Sequence, residues 1–203
     1  MVLIGLTGKM GCGKDYIAKN YIIPYIEKIS SHCFQLSFAD QIKVNVMTKN
    51  DIPYDDVFVE KTNATRTLLQ QEGTEHGRDV YGQDIWIKYF DNWMQIFSKR
   101  GISNVIVCDV RFENELKYIK SKGGIVIKVE AQDRNMARLI SESKSDERVL
   151  DKLRSHKSEC DLDKVPNSYY DVIVDNSIGV ELNLDPVYKL LFKKVFSERM
   201  HTK

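Results

Sequence analysis

VLIGLTGKMGCGKD, residues 2–15, decides how the rest of this chain is read. Val2-Leu3-Ile4-Gly5-Leu6 is a short apolar run of the kind that forms a strand buried on both faces. It enters Gly8-Lys9-Met10-Gly11-Cys12-Gly13-Lys14-Asp15, which fits G-x-x-x-x-G-K with Asp in place of the usual closing Ser or Thr. Glycines let the backbone curl until successive N–H groups face phosphate oxygens, and the helix that follows adds partial positive charge at its N-terminus. Lys14 would then reach the β- and γ-phosphates as a point charge. A plain Gly-rich turn is the alternative. Strand before, helix pattern after and Lys in register favour phosphate binding.

The remaining elements follow from periodicity and breakers. Residues 15–23 carry helical character, and Pro24 should end or kink that helix. Phe34-Gln35-Leu36-Ser37-Phe38 alternates as a second strand and ends at Ala39-Asp40. A polar, turn-marked region follows, broken by Asn50-Asp51 and Pro53. Residues 65–78 begin as a helix that Gly73 and Gly77 loosen, and 83–100 form a long helix with Trp86, Phe90, Trp93 and Phe97 on one face. Asn104-Val105-Ile106-Val107-Cys108 is a strand closed by Asp109-Val110-Arg111; a helix from about Glu113 leads to a fourth strand, Ile125-Val126-Ile127-Lys128-Val129. Residues 131–169 are highly charged, lack a sustained apolar face and read as a mobile segment carrying Arg134, Arg138 and Arg148. Asp171-Val172-Ile173-Val174 is a fifth strand, and 184–198 an amphipathic closing helix. Strands separated by helices predict an α/β fold with a parallel sheet of about five strands. In such sheets ligands sit at the carboxyl ends of strands, where the Gly-rich loop, Asp40 and Asp109 to Arg111 all fall.

Composition narrows the function classes. A chain of 203 residues is one domain, or a core with an inserted lid. With 30 basic against 29 acidic residues, no strong field recruits nucleic acid or an anionic membrane. No apolar run reaches membrane-spanning length, and a strand at the very start is expected to leave no room for a signal peptide. Cys12, Cys33, Cys108 and Cys160 form no C-x-x-C pair, and His32, His76, His156 and His201 are scattered. Reduced thiols in a cytoplasmic protein, without a His or Cys metal site, are the expectation.

Beyond the loop, three constellations could carry chemistry. Asp109, closing an apolar strand, is placed either to hold magnesium or to cap the next helix. Arg66, Gln70, Gln71, Thr74, Glu75 and Arg78 share one helical stretch, suited to phosphate, base edge and sugar hydroxyl, or to plain solvation. Arg134 and Arg138, four apart, would put two guanidiniums on one face of a lid or of an ordinary charged surface. No Ser-His-Asp set or kinase catalytic loop is visible. A phosphate monoester acceptor, with a second pKa of about 6, is already a dianionic nucleophile at neutral pH and needs no base. Positioning and charge neutralisation then suffice.

GKMGCGKD, SFADQIK, RTLLQQEGTEHGRD, DIWIKYF and VIVCDVRFENE, in that order, resemble the deoxynucleoside monophosphate kinases of tailed bacteriophages and large DNA viruses. A weaker match continues through His156-Lys157-Ser158-Glu159 and Tyr170-Asp171-Val172-Ile173-Val174-Asp175-Asn176. In that family the loop ends in Gly-Lys-Asp. The resemblance implies a single nucleoside-monophosphate-kinase-like P-loop domain over 1–203: core 1–39, 101–130 and 170–203, acceptor-binding region 40–100, and a mobile lid at about 131–169. It implies transfer of the ATP γ-phosphate to a 2′-deoxynucleoside 5′-monophosphate with Mg2+, in the cytoplasm (that of the host if the source is viral). A homodimer stays open. ATP would meet Gly8, Gly11, Cys12, Gly13, Lys14, Asp15, Tyr16, Arg134 and Arg138. The acceptor would meet Lys9, Asp40, Lys43, Arg66, Arg78 and Arg111, with Gln70, Thr74, Glu75 and Trp86 at the nucleoside. Lys14, Arg66 and Arg111 would carry catalysis, and Asp15 and Asp109 would hold the metal, directly or through water. Animal-type phosphomevalonate kinases share the Gly-Lys-Asp loop and a stretch like Ser158-Glu159-Cys160-Asp161-Leu162-Asp163, and form the alternative. An ATP-binding regulatory module is a third.

Overall fold

The computed structural model describes residues 1–201. β1 (Val2–Thr7) is buried along its whole length and runs into the Gly-rich loop. α1 (Lys14–Ile17) starts directly from Gly13 and passes through a π-helical turn, Ala18–Ile22, into α2 (Ile23–Ile29). Pro24 was expected to end or kink this helix, yet it sits in the first turn of α2. Proline has no N–H and crowds the carbonyl four residues back, and the wider π-turn before it lets the chain run on without that bond. β2 covers Cys33–Gln35 alone, so Leu36 to Phe38, expected to continue the strand, fall outside it.

α3 (Asp40–Asn50) occupies the stretch expected to be polar and turn-marked. Its apolar residues Ile42, Val44 and Val46 alternate in sequence, which hides a helical period; only Ile42 and Val46, one turn apart, are buried. Asp51 closes α3 at φ 52°, and α4 (Tyr54–Phe58) begins behind Pro53. α5 (Asn63–Gly73) leads through a second π-turn, Thr74–Arg78, to α6 (Asp79–Tyr81), and α7 spans Ile85–Lys99. β3 (Asn104–Val110), α8 (Glu113–Ser121) and β4 (Ile125–Glu130) follow. The predicted lid segment folds as α9 (Gln132–Ser143), α10 (Glu147–Ser155), α11 (Lys157–Cys160) and two short 3-10 turns. Within it, α10 buries no residue. β5 (Val172–Asp175) and α12 (Asp185–His201) complete the chain.

Met1–Gln35 and the chain from Ile102 onward form one unit; Leu36–Gly101 forms another. The first unit holds a five-stranded sheet in the order β2-β3-β1-β4-β5, parallel at every pairing. Val2, Ile4 and Leu6 of β1, with Ile106 of β3 and Ile127 of β4, form one apolar layer that includes Ile17, Ile22 and Ile26, and Val187, Leu191 and Val195 of α12. Each such side chain, fully buried, contributes about 1.5–3 kcal/mol. Register places Thr7 opposite Val110 and Lys128. Asp109 therefore lies near the end of β3, at the level where β1 becomes the loop. The chain builds β2 and β3 on one side of β1 and then crosses to β4 and β5 on the other, and a parallel sheet opens a ligand crevice at such a reversal of strand order.

The second unit is helical. Trp86, Phe90, Met94 and Phe97 form the buried stripe of α7, and Phe90 meets the Phe38 ring at 4.3 Å. Trp93, expected on the same stripe, is half-buried and donates its indole N–H to Gln41 Oε1 at 3.2 Å. Gly77 lies where the Trp86 ring presses on the π-turn: a Cβ there would stand 2.8 Å from Trp86 Cε2 and 2.7 Å from the Glu72 carbonyl. Close packing, rather than a loosened helix, accounts for that glycine. Among the described residues no helix is long and apolar enough to cross a membrane.

Candidate active site

The loop between β1 and α1 opens on a cavity of about 580 Å³. Gly11, Gly13, Lys14, Asp15 and Tyr16 line one side, and Arg134, Arg138 and Ile178 belong to the same lining. Loop residues and the two arginines, more than a hundred positions apart in sequence, thus share one space. Gly11 has φ 78°, and a Cβ on it would stand 2.6 Å from Arg138 Cβ. The left-handed backbone and the close approach of α9 both require glycine there. Lys14 is buried at the first turn of α1, while Asp15 and Tyr16 are exposed. Arg134 donates Nε–H to the Asn176 carbonyl at 2.7 Å, and Arg138 pairs with Glu142 one turn along.

Three residues outside the loop hold its backbone. Asn176 donates its side-chain amide to the Cys12 carbonyl at 2.9 Å, and Asn135 donates to the Met10 carbonyl at 2.7 Å. Glu159 accepts the Met10 N–H at 2.8 Å, and its other oxygen accepts from Arg111 at 2.7 Å. Lys9 donates to the Glu159 carbonyl and pairs with Asp163. The sequence reading assigns no role to Asn135, Glu159 or Asn176. The signal for the last two lay in the motif stretches around 156–159 and 170–176, which give residues without partners.

Two thiols here are buried, Cys12 in the loop itself and Cys108 in β3. Burial pushes the Cys12 thiol up, with the Lys14 ammonium acting against it. Burial also drives Cys108 well above the ordinary thiol range, reinforced by the carboxylates of Asp15 and Asp109 and opposed by Lys14. Both carboxylates and the lysine thus act on one point at the end of β3. Among the described residues no group of three or more His, Cys, Asp or Glu side chains could hold a metal. Burial lifts Cys33 to about 12, so it too is an unreactive thiol.

The second unit carries the remaining candidates. Asp40 accepts the Ser37 N–H and pairs with Lys43, both at 2.8 Å, and the Lys43 ammonium lies 4.6 Å from the Phe58 ring centroid. Arg66 is half-buried in the first turns of α5, whose N-cap Thr62 accepts the Thr65 N–H at 3.1 Å. Gln70, Thr74 and Glu75 are exposed. Arg78 and the buried Trp86 both donate to the Gly73 carbonyl, at 3.2 and 2.8 Å. Trp86 also lines a cavity of about 470 Å³ with Tyr89, Asn45, Lys49 and the buried Glu72; Gln70, Thr74 and Glu75 do not.

A protein of Acanthamoeba polyphaga mimivirus described as "Putative deoxynucleotide monophosphate kinase" is 31% identical over 147 residues, covering 64% of this chain and 74% of the relative. No protein-family model matches. Among solved structures, a "putative kinase" from Chloroflexus aurantiacus aligns over 95% of this chain and 97% of its own at 13% identity and TM-score 0.53, a likeness of fold. A sugar kinase from Janibacter sp. HTCC2649 aligns over 97% and 93% at 12% identity and TM-score 0.47. The viral relative, a P-loop at the end of a central parallel strand and a kinase-like fold agree. The chain belongs to the deoxynucleoside monophosphate kinase family of tailed bacteriophages and large DNA viruses.

Proposed function

We propose that this kinase transfers the γ-phosphate of ATP to a 2′-deoxynucleoside 5′-monophosphate. An acceptor phosphate oxygen attacks the γ-phosphorus, the bond to the β–γ bridging oxygen breaks, and ADP and a deoxynucleoside diphosphate leave. The observation that carries this reading is Lys14, buried at the start of α1 and lining the cavity shared with Arg134 and Arg138. A buried ammonium among backbone amides is suited to the charge that gathers on the β- and γ-phosphate oxygens during transfer. The acceptor phosphate is already ionised near neutral pH, so no general base is required. Lys43, Arg66 and Arg111 are proposed to bind and neutralise it, with Lys9, Asp40 and Arg78 in support. Gln70, Thr74, Glu75 and Trp86 are proposed for the nucleoside.

Asp15 and Asp109 are proposed to hold magnesium, directly or through water. The metal would offset phosphate charge and fix the triphosphate geometry. Segment 131–169 is proposed to close over the substrates and exclude water by moving between its contacts with the loop at Asn135 and Glu159. The deoxynucleotide preference is supported by the name of the viral relative.

A coupled ADP-release assay tests the reading across dGMP, dTMP, dCMP, dAMP, the matching ribonucleotides and phosphomevalonate. ADP release that depends on at least one deoxynucleoside monophosphate is expected. Dependence on phosphomevalonate alone, or none on any acceptor, overturns it.

A further inference from the structure

The carboxylate of Glu159 joins two parts of the proposed transfer site that are far apart in sequence. One oxygen accepts the Met10 N–H of the loop at 2.8 Å, and the other accepts Arg111 Nη1 at 2.7 Å. Its side chain is 6% exposed against 34% for Arg111, so the pair has a dry carboxylate and a guanidinium reaching toward solvent. Around it the chain is fixed independently: Lys9 holds the Glu159 carbonyl, and Asp161 accepts the Glu113 N–H at 2.9 Å. The turn carrying Glu159 is therefore docked on the loop and on the start of α8 whether or not the carboxylate pairs with Arg111.

We infer that Glu159 is a positioning residue for phosphoryl transfer: it aims Arg111 at the phosphate-binding loop and fixes the distance between them. This rests on the assignment of Arg111 to the transfer site made above. A guanidinium on a flexible stem loses rotational freedom each time it meets a phosphate. A buried carboxylate that already holds it removes that cost before substrate arrives. Because one oxygen serves Met10 and the other Arg111, the two functions can be separated. Glu159→Gln keeps an oxygen for the Met10 N–H but turns a donor toward Arg111. Glu159→Asp keeps the charge and shortens the reach.

The experiment is a double-mutant cycle of Glu159→Gln with Arg111→Ala, read as kcat and as KM for ATP and for the acceptor, with thermal midpoints recorded alongside. ADP release with the preferred deoxynucleotide is the readout, or acceptor-independent ATP hydrolysis if no deoxynucleotide is used. The second case would overturn the proposed substrate while leaving the cycle intact. Expected is a fall in kcat of about tenfold or more for Glu159→Gln, KM for ATP within about twofold, and less than about twofold further loss when Arg111 is already Ala. Glu159→Asp should recover part of the lost kcat, and it carries the cycle if the Gln variant does not fold. An equal loss in both backgrounds, or a raised KM for ATP at unchanged kcat, overturns the inference. Glu159 would then act on the loop alone.

Discussion

Asn176 donates its side-chain amide to the Cys12 carbonyl at 2.9 Å, tying the residue after β5 to the phosphate-binding loop. Asn176 is itself fixed, because its backbone N–H reaches the Glu130 carbonyl at 2.7 Å and its carbonyl receives Arg134. The loop is thereby braced from the far side of the sheet before any nucleotide arrives. Removing the amide leaves the Cys12 carbonyl short of a partner, worth about 1 kcal/mol. Asn176→Ala is expected to weaken ATP binding about fivefold by that figure, measured by titration with a fluorescent ATP analogue. Asn176→Asp should be worse, since it sets a carboxylate against the carbonyl and near the phosphates. Unchanged affinity in both variants would show that the loop holds its shape without this bond.

Lys14 presents the plainest test of phosphate chemistry. Lys14 is buried at the first turn of α1, and its charge acts on the thiols of Cys12 and Cys108. Lys14→Ala is expected to lower turnover by roughly 100-fold or more, the scale for losing one oriented charge-stabilising group. Circular dichroism and thermal midpoint should stay close to wild type. Near-normal turnover by a folded variant would remove Lys14 from the reaction.

Arg66 should separate acceptor from donor. Arg66→Lys keeps the charge but loses the planar fork that matches two phosphate oxygens. KM for the deoxynucleotide is expected to rise about tenfold while KM for ATP stays within about twofold, as for a lost contact of about 1.4 kcal/mol. Equal effects on both substrates would assign Arg66 to the donor side or to α5 itself.

Glu72 predicts a pH signature in stability. Its buried carboxylate accepts Asn45 at 2.8 Å and Lys49 at 2.7 and 2.8 Å, with His76 3.6 Å away. Burial alone would raise its pKa, but the Lys49 and Asn45 hydrogen bonds and the Lys49 charge outweigh it and hold the carboxyl below its usual value. The folded value therefore lies below the unfolded one. The stabilisation is present in full above the unfolded pKa and is lost as pH falls through the folded value. Glu72→Gln is expected to be about 1–2 kcal/mol less stable than wild type in urea at neutral pH, the scale of a charge-assisted hydrogen bond. That gap should shrink as pH drops below about 4.5. A gap that does not vary with pH would mean that packing, rather than ionisation, sets the cost.

What the sequence made legible was local. β1, the loop and the start of α1 are contiguous, so hydrophobicity, glycine spacing and Lys14 stand in one readable string. The long α7 was equally plain, because its aromatics recur at helical spacing from Trp86 to Phe97, about three turns. α3 was hidden by the alternation of Ile42, Val44 and Val46, which mimics a strand period, although Val44 is exposed. The braces of the loop were out of reach for another reason. Asn135, Glu159 and Asn176 are polar residues more than a hundred positions downstream, and each acts through one backbone group of the loop. No periodicity marks a residue whose role is a single long-range hydrogen bond. Lys9 and Arg111 show the same limit. The resemblance assigns both to the acceptor, and the fold ties Lys9 to Asp163 and to the Glu159 carbonyl, and Arg111 to the Glu159 carboxylate.

Asp15 is where the loop departs from the commoner P-loop chemistry, and it gives the sharpest test of the metal. A hydroxyl at this position would offer magnesium one neutral oxygen. The Asp15 carboxylate is exposed, lines the cavity beside Lys14 and, with Asp109, raises the Cys108 thiol. Both carboxylates act on that buried thiol with the Lys14 ammonium opposing them, and a triphosphate bound beside Asp15 brings further negative charge. If magnesium relieves that repulsion, the effect of changing Asp15 must depend on magnesium concentration. Asp15→Asn is expected to shift the magnesium midpoint of turnover upward about tenfold, the equivalent of about 1.4 kcal/mol of metal binding, with activity partly restored at saturating metal. Asp15→Ser restores an oxygen donor and should retain more activity than Asp15→Ala. The measurement is a magnesium titration of ADP release for wild type and the three variants at fixed ATP. One shared midpoint for all four proteins would show that Asp15 does not act through the metal. Its role would then be that of a first-turn carboxylate facing the positive end of α1, which stabilises a helix by about 0.3–1 kcal/mol and takes no part in transfer.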